Sequence, residues 1–478
     1  MQPPPPPRPG NSLDARLGLW IQCSPDAARW GQFIDIASVV AMTLGRGADA
    51  TLQLNDTWQS RQHVRISLAA GAKRGRGPWL LEDLATRNGT FVNGRRVERA
   101  MLQLGDIIRI GATLFVYDQG VQGEEPDGIV GRSAAMSQIR QQLRELAQNS
   151  RPVHITGESG VGKEVVARAL HALSRRSGPF LGVNMATIVS GLAESQLFGH
   201  RRGAFSGATS DQVGSFDVAV GGTLLLDEMA ELDLALQAKL LRAVEGNQIH
   251  RIGDPKPHVV DVRLITATNR DLAEMAFDGR FRADLYWRIG HNCIEVAPLR
   301  MRRLDIAPLV DHFLAENGTP SLLSLTALQP KVAWQIADLL ECYLTHLWPG
   351  NVRELRDEVL RLADAMRSRQ RSDVSGPIPP LEEAVSERLR QPPVMSAPYV
   401  DRRISGVQAV DPNLSQHYID LLDQPDQLRQ AIQNEAGGNI KAFAERAASV
   451  LGKNPASLRR HIYRQLGAGI NNLRKIDE

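Results

Sequence analysis

The sequence predicts a multidomain chain: an all-β sandwich, an α/β nucleotide-binding domain with a helical lid, and a small all-α helix-turn-helix. Three observations carry this expectation. Between positions 17 and 118, short β-rich segments are separated by Gly, Asn and Asp turns, the pattern of a sandwich. From 129 to 297, apolar strands alternate with amphipathic helices, and the first such strand runs into a G-x-x-x-x-G-K loop. Helical periodicity then continues without strands to about Gln370, and a further helical segment fills 426–470.

Composition narrows the classes. Hydrophobic residues make up 42% and charged residues 23% of the 478, as in ordinary globular protein. The 56 basic and 53 acidic side chains leave a net charge of only +3, so any nucleic-acid site must be local rather than a global field. Cys23, Cys293 and Cys342 lie far apart without metal-ligand spacing, which suits a reducing compartment. No apolar stretch reaches the roughly 18–20 residues needed to span a bilayer, so a cytoplasmic protein with no membrane partner is expected.

The elements follow in order. Residues 1–16 form a Pro-rich tail, read as disordered, although Pro3 to Pro7 also suit a polyproline II ligand. In the sandwich, Leu52–Leu54, Val64–Ser67, Trp79–Glu82, Phe91–Val92 and Ile107–Ile110 read as strands. An acidic, Gly-rich linker covers 119–128, and a linker with six prolines from Pro377 to Pro398 covers 371–425.

The α/β domain carries the clearest chemistry. Strand Val153–Ile155 leads into Gly157-Glu158-Ser159-Gly160-Val161-Gly162-Lys163, followed by Glu164 and a helix to Leu173. Glycines in such a loop let backbone N–H groups curl round phosphates, and Lys163 reaches the outer phosphates at a helix N-terminus. Glu164 stands where Ser or Thr usually serves Mg²⁺. The apolar strand after Gly222 ends in Asp227 and Glu228, the first suited to the Mg²⁺ shell and the second to polarising the attacking water. Strand Arg263–Ala267 ends in Thr268 and Asn269, which can sense a γ-phosphate, and Arg282 and Arg288 can spread charge over a transferring phosphoryl group. Mg²⁺-dependent ATP hydrolysis is the chemistry this set predicts.

From Ile129 to about Met366 the chain resembles the AAA+ domain of bacterial enhancer-binding proteins, the activators of sigma-54 RNA polymerase. The residues that carry the likeness are Gly-Glu-Ser-Gly-x-Gly-Lys-Glu, in which Glu164 is normal. They continue with Leu197-Phe-Gly-His200, Gly203-Ala204-Phe205-Ser206-Gly207-Ala208, Gly279-Arg-Phe-Arg-x-Asp-Leu-Tyr286 and Trp348-Pro-Gly-Asn-Val-Arg-Glu-Leu355. The resemblance implies that Asn184 is a switch holding Glu228, that Arg353 is a sensor in the lid (298–370), and that Arg282 and Arg288 reach a neighbour's ATP. It therefore implies a homo-oligomeric ring, expected to be a hexamer. It also assigns the loop Gly203–Ala208 to sigma-54 contact. Glycines flanking Phe205 suit an outward aromatic, and exposing it forgoes about 2 kcal/mol of burial, so it calls for a partner. Ser206 stands for the usual Thr and Met301 for the usual Glu, which leaves a lid-adjacent ion pair open.

Leu44-Gly-Arg46, Ser60-Arg61-Gln-His63 and Asp83 to Gly94 resemble a forkhead-associated (FHA) domain, which binds phosphothreonine peptides. By that likeness Arg46 and Ser60 contact phosphate, Arg61 and Arg87 flank it, Asn88 holds the peptide backbone, and His63 is structural. Thr86 replaces the more common Ser, and Lys73, Arg74 and Arg76 extend a basic insertion. At the other end, Asn439 and Asn454-Pro455 start two helices, the second bearing Arg459, Arg460 and Arg464 away from its apolar face. These resemble a Fis-type helix-turn-helix reading upstream enhancer DNA. The whole implies a transcription activator whose input is a Thr-phosphorylated protein. A remodeller of another complex, or a phosphopeptide scaffold with an inert ATPase, remains open from sequence.

Overall fold

The computed structural model describes residues 16–69, 78–121, 128–246, 248–328, 332–371, 379, 384–390, 428, 430–433, 443 and 447. The Pro-rich tail up to residue 15, the basic insertion, and Arg459, Arg460 and Arg464 lie outside the described residues, as does most of 371–425. The chain divides into two compact units, Met1–Arg270 with Arg288–Pro393, and Asp271–Trp287 with Val394–Glu478. Among the described residues, no helix is long and apolar enough to cross a membrane.

The first unit begins with two facing sheets. One holds β1 (Arg16–Cys23), β2 (Phe33–Ile34), β7 (Thr90–Val92), β8 (Arg95–Val97), β10 (Asp106–Ile110) and β11 (Thr113–Gly120), in the order β2-β1-β11-β10-β7-β8. The other holds β3 (Ala41–Gly45), β4 (Leu52–Gln53), β5 (Val64–Leu68), β6 (Trp79–Asp83) and β9 (Arg99–Leu102), in the order β4-β3-β5-β6-β9. Leu19, Ile21, Leu44, Ile66, Trp79, Leu81 and Phe115 fill the core between them. Alternation along a strand sends neighbouring side chains to opposite faces. Trp20, Leu114 and Val116 therefore point away from that core, yet they too are buried, because the lid covers them. Five expected strands are observed, and the structure adds β1, β2, β3, β8, β9 and β11.

A parallel five-stranded sheet follows: β12 (Val153–Thr156), β13 (Phe180–Asn184), β14 (Thr223–Asp227), β17 (Arg263–Thr268) and β18 (Cys293–Glu295), in the order β13-β14-β17-β12-β18. All its pairings are parallel, and β14 and β17 are buried along almost their whole length, as crossover helices on both faces require. Helices α1 (Ala134–Ala147) and α2 (Lys163–Leu173) pack on it through Ile139, Leu143, Val166 and Leu170. The register places the C-terminal ends of β12, β14 and β17 side by side, which is where an open parallel sheet offers its crevice. Further helices are α3 (Ala193–Phe198), α4 (Ser215–Val218) and α5 (Leu234–Gly246), with a small ladder of β15 (Gln248–Ile249) and β16 (His258–Val259). In the second unit, Asp271 caps α6 (Leu272–Phe277) by accepting from the N–H groups of Ala273 and Glu274. Helix α7 covers Ala283–Ile289.

The lid comprises α8 (Ile306–Glu316), α9 (Leu322–Leu328), α10 (Ala333–Thr345) and α11 (Asn351–Arg371). Its core of Val310, Leu314, Ile336, Leu340, Tyr343, Trp348 and Leu362 is continuous with Trp20, Ile107, Leu114 and Val116 of the sandwich. Arg109 on β10 joins the two. Its guanidinium pairs with Asp338 at 2.7 Å and Glu341 at 2.6 Å, and lies 4.5 Å over the Trp334 ring. Trp334, Asp338 and Glu341 are spaced i, i+4, i+7, so one face of α10 supplies all three. The expected linker over 371–425 needs one correction. Ala384, Val385 and Leu389 are buried in the lid core, Glu358 accepts from the Ser386 N–H, and Glu387–Arg390 forms a helical turn. Apolar side chains among prolines found a surface to cover there.

Candidate nucleotide site and its two accessory loops

The phosphate loop joins β12 to α2. At Gly160 φ is +76°, and a Cβ there would stand 2.3 Å from the Gly350 carbonyl oxygen, so only glycine permits this approach to the lid. Gly162, at φ +104°, precedes α2 as its N-cap. The Lys163 ammonium donates to the carbonyls of Gly157 (2.9 Å) and Glu158 (3.2 Å). Burial pushes its pKa below the ordinary lysine value, while Glu228 and Asp227 pull the other way. Asp227 ends β14; one carboxylate oxygen accepts from the Glu228 N–H at 3.0 Å, and the other has no partner among the described residues. Glu228 has φ +53°, a left-handed backbone unusual for its type, of the kind that clusters at functional sites. Thr268 is fully buried at the end of β17, its hydroxyl accepting from the Arg270 N–H, and Asn269 beside it is exposed.

Four more of the expected site residues turn to local partners or to water. Asn184 sits level with Asp227 in register, but its side-chain oxygen accepts from the Ala186 N–H, capping its own turn, and among the described residues it has no hydrogen bond to Glu228. The Glu164 carboxylate pairs with Arg168 on the exposed face of α2. Arg282 is held in a two-bond pair by Asp284. Arg288 is exposed, with no ion pair among the described residues. Arg353 meets the site: its guanidinium donates to the Ser159 hydroxyl at 3.2 Å, and its N–H donates to the Gly160 carbonyl.

Sequence reasoning missed the residues that brace the phosphate loop. Arg300 forms a two-bond pair with Glu158 (2.8 and 2.6 Å), Asn351 donates to Glu158 and to the Ser159 carbonyl, and Arg302 donates to the Val161 carbonyl. Met301 between those arginines is 57% exposed, so the position that departs from the resemblance points to water. Arg300 and Arg302 lie in a segment already marked as unusual in sequence, and Asn351 in the Trp348-Pro-Gly-Asn motif. Their partners across the fold carry no local signal.

The loop Gly203–Ala208 closes on itself through Gly203 N–H to the Ala208 carbonyl and Ala208 N–H to the Phe205 carbonyl. Phe205 is 40% exposed, with its ring edge-on to His200 at 4.9 Å. Arg201 pairs with Asp211 and Asp254 at the base of the loop. Ala208 is buried, and Gly203, Ser206 and Gly207 are exposed while Ala204 is partly so.

In the sandwich, one buried imidazole ties the expected peptide loops together. His63 accepts from the Ser60 N–H at Nδ1 (3.1 Å), and its Nε2 meets the Gly89 carbonyl (3.1 Å). Burial pushes its pKa down, which keeps it neutral. Thr86, also buried, bonds His63 and Asp83. Arg46 is set beside Ser60 by its N–H to the Ser60 carbonyl. Arg46, Arg61, Arg87 and Asn88 are exposed round this cradle, and the Asn88 amide donates to the Trp58 carbonyl at 2.6 Å.

An α/β P-loop domain with a helical lid, joined to a β-sandwich, defines the class. The sigma-54 interaction domain model matches residues 129–295, and the FHA domain model matches 42–111. The DNA-binding transcriptional regulator NtrC of Rhizobium meliloti is 36% identical over 368 residues, 73% of this chain and 72% of that protein. The Nif-specific regulatory protein of Herbaspirillum seropedicae is 46% identical over 242 residues, 50% of this chain and 43% of that protein. The nitric oxide reductase transcription regulator NorR1 of Cupriavidus necator is 45% identical over 254 residues, 51% and 48% of the two chains. The matches to the last two span less than half of those relatives. A crystal structure of NtrX from Brucella abortus aligns over 71% of this chain and 69% of that one, at 31% identity and TM-score 0.46. The chain belongs to the sigma-54-dependent activator family, and it carries an FHA domain beside its AAA+ P-loop NTPase domain.

Proposed function

We propose that the chain hydrolyses ATP in a ring of copies, working in the cytoplasm, to remodel sigma-54 RNA polymerase at promoters. The observation that carries this reading is the convergence of Lys163, Asp227, Glu228 and Thr268 at adjacent ends of one parallel sheet, with Arg353 of the lid on the phosphate loop. Lys163 and the loop N–H groups hold the phosphates. Asp227, with one carboxylate oxygen left over, fits the coordination shell of Mg²⁺. Mg²⁺, when bound, supplies charge neutralisation between the outer phosphates. Glu228 orients the attacking water, Asn184 switches it, Thr268 and Asn269 sense the γ-phosphate, and Arg282 and Arg288 reach the site of an adjacent copy, the ring being a hexamer. Arg282 must leave Asp284 to do so, a modest cost for an exposed pair.

Phe205 and its flanking residues contact sigma-54. Arg46, Ser60, Arg61, Arg87 and Asn88 bind a phosphothreonine peptide, where charge-assisted bonds to phosphate are the strongest contacts available. Arg459, Arg460 and Arg464 read upstream DNA. A reconstituted sigma-54 promoter assay tests the main claim. Open complexes should form with ATP and not with a non-hydrolysable analogue; equal yields with both would refute a hydrolysis-driven role.

A further inference from the structure

The segment Asp56–Ser60 touches two sites at once. On one side, the Trp58 ring meets the Trp334 ring of α10 at 4.9 Å and 47°. On the other, the Trp58 carbonyl accepts from the amide of Asn88, and Ser60 stands two residues on. Trp58 is tethered at both backbone ends: its N–H donates to Asp56 at 3.0 Å, and its carbonyl takes the Asn88 bond at 2.6 Å. Asp56 is itself fixed, accepting from Gln59, the Ala112 N–H and the Thr113 hydroxyl. Trp58 is 52% exposed, so its hold on the lid rests on few contacts.

We propose that Trp58 and Trp334 are positioning residues of the ATPase lid, and that phosphopeptide binding at the FHA loops releases them. This rests on the phosphopeptide reading above. A peptide backbone that draws the Asn88 amide towards itself breaks its bond to the Trp58 carbonyl. Trp58 keeps only its Asp56 tether, and its tilted contact with Trp334 is the one that weakens. The lid then retains the Arg109 pairs but loses a contact beside them. The same lid carries Arg353 and Asn351 to the phosphate loop, so loosening it weakens the hold on nucleotide. Peptide and nucleotide thereby oppose each other. Coupling of this kind is reciprocal: each ligand lowers the other's affinity by one factor, commonly about 5–150-fold.

The test uses the full chain, a fluorescent ADP analogue, and a labelled phosphothreonine peptide chosen from a degenerate phosphothreonine library on the wild-type chain. Saturating peptide should weaken ADP binding about fivefold or more, and saturating ADP should weaken peptide binding by the same factor. Trp334→Ala should bind ADP more weakly from the start and lose the response to peptide, while Trp334→Phe, which keeps an aromatic ring, should keep part of it. Trp58→Ala, at a half-exposed site that tolerates truncation, should behave as Trp334→Ala does. A purely structural role would lower stability without removing the reciprocal effect. Peptide that binds while ADP affinity stays unchanged overturns the coupling alone. No phosphopeptide binding overturns the FHA reading and the coupling with it.

Discussion

Asp305→Ala is a severe test of how the unit is held together. Asp305 is fully buried and accepts from the N–H groups of Arg132 and Ser133, both at 2.7 Å, and from the Ser133 hydroxyl at 2.8 Å. The Arg302 guanidinium, 3% exposed, lies 3.8 Å away and donates to the Val161 carbonyl of the phosphate loop. Alanine strips three donors, two of them buried, of their acceptor and leaves Arg302 without its counter-charge. Removing one partner of a buried ion pair costs about 3–5 kcal/mol. The orphaned donors overlap that figure and do not add in full, so about 4–6 kcal/mol is expected. The unit that holds Asp305 comprises Met1–Arg270 and Arg288–Pro393. At that size each kcal/mol shifts Tm by roughly 1–2 °C, so calorimetry of the full chain should show a fall of about 5 °C or more in the transition of this unit. Asp305→Asn keeps one acceptor oxygen and should recover part of it. A fall below about 2 °C would mean that the buried donors and Arg302 find other partners at no cost.

Lys163→Ala should abolish tight ATP binding, whereas Glu228→Gln should bind ATP and stall; normal turnover by Glu228→Gln would remove that residue from its role. Arg288→Ala should lower turnover about 10³-fold or more, with partial rescue on mixing with Lys163→Ala, and no rescue at any ratio would argue against action between copies. Arg46→Ala should abolish preference for phosphorylated over unphosphorylated peptide in an anisotropy titration while the fold survives. Burial holds Asp118 at about 6, above its usual 3.8, against the pull of the Gln119 N–H and Arg303. A carboxyl raised in the folded state gains stability as pH falls through about 6 and stops gaining below about 4. Asp118→Asn should thus melt higher than wild type near pH 7.5, and the gap should narrow towards about pH 4.5. A gap independent of pH would contradict this.

The two architectures and the nucleotide loop were legible because each rests on local patterns: alternation and turns in the sandwich, and strand–loop–helix around Lys163. The joint between sandwich and lid was not anticipated, although its trace is in the sequence. Leu17 to Cys23 and Leu114 to Tyr117 are nearly continuous apolar runs, which suit strands buried on both faces. The partners of Arg109 are 229 and 232 positions away by number, at Asp338 and Glu341, and no local pattern announces them. The same holds for Arg300 with Glu158. Ala384, Val385 and Leu389 were hidden among prolines, where composition outweighed three apolar positions. Asn184, Glu164 and Arg282 were identified by motif, but side-chain geometry depends on nearby donors and acids that a motif does not specify.

The claim that ATP turnover drives polymerase remodelling through the Gly203–Ala208 loop is tested most directly by Phe205→Ala. The ring lies outside the nucleotide site, is 40% exposed, and rests on His200 without bracing the phosphate loop. ATP hydrolysis and open-complex formation on a sigma-54 promoter should be measured on the same preparation. Turnover should stay close to wild type while open-complex formation is lost. Undiminished open complexes from this variant would contradict it.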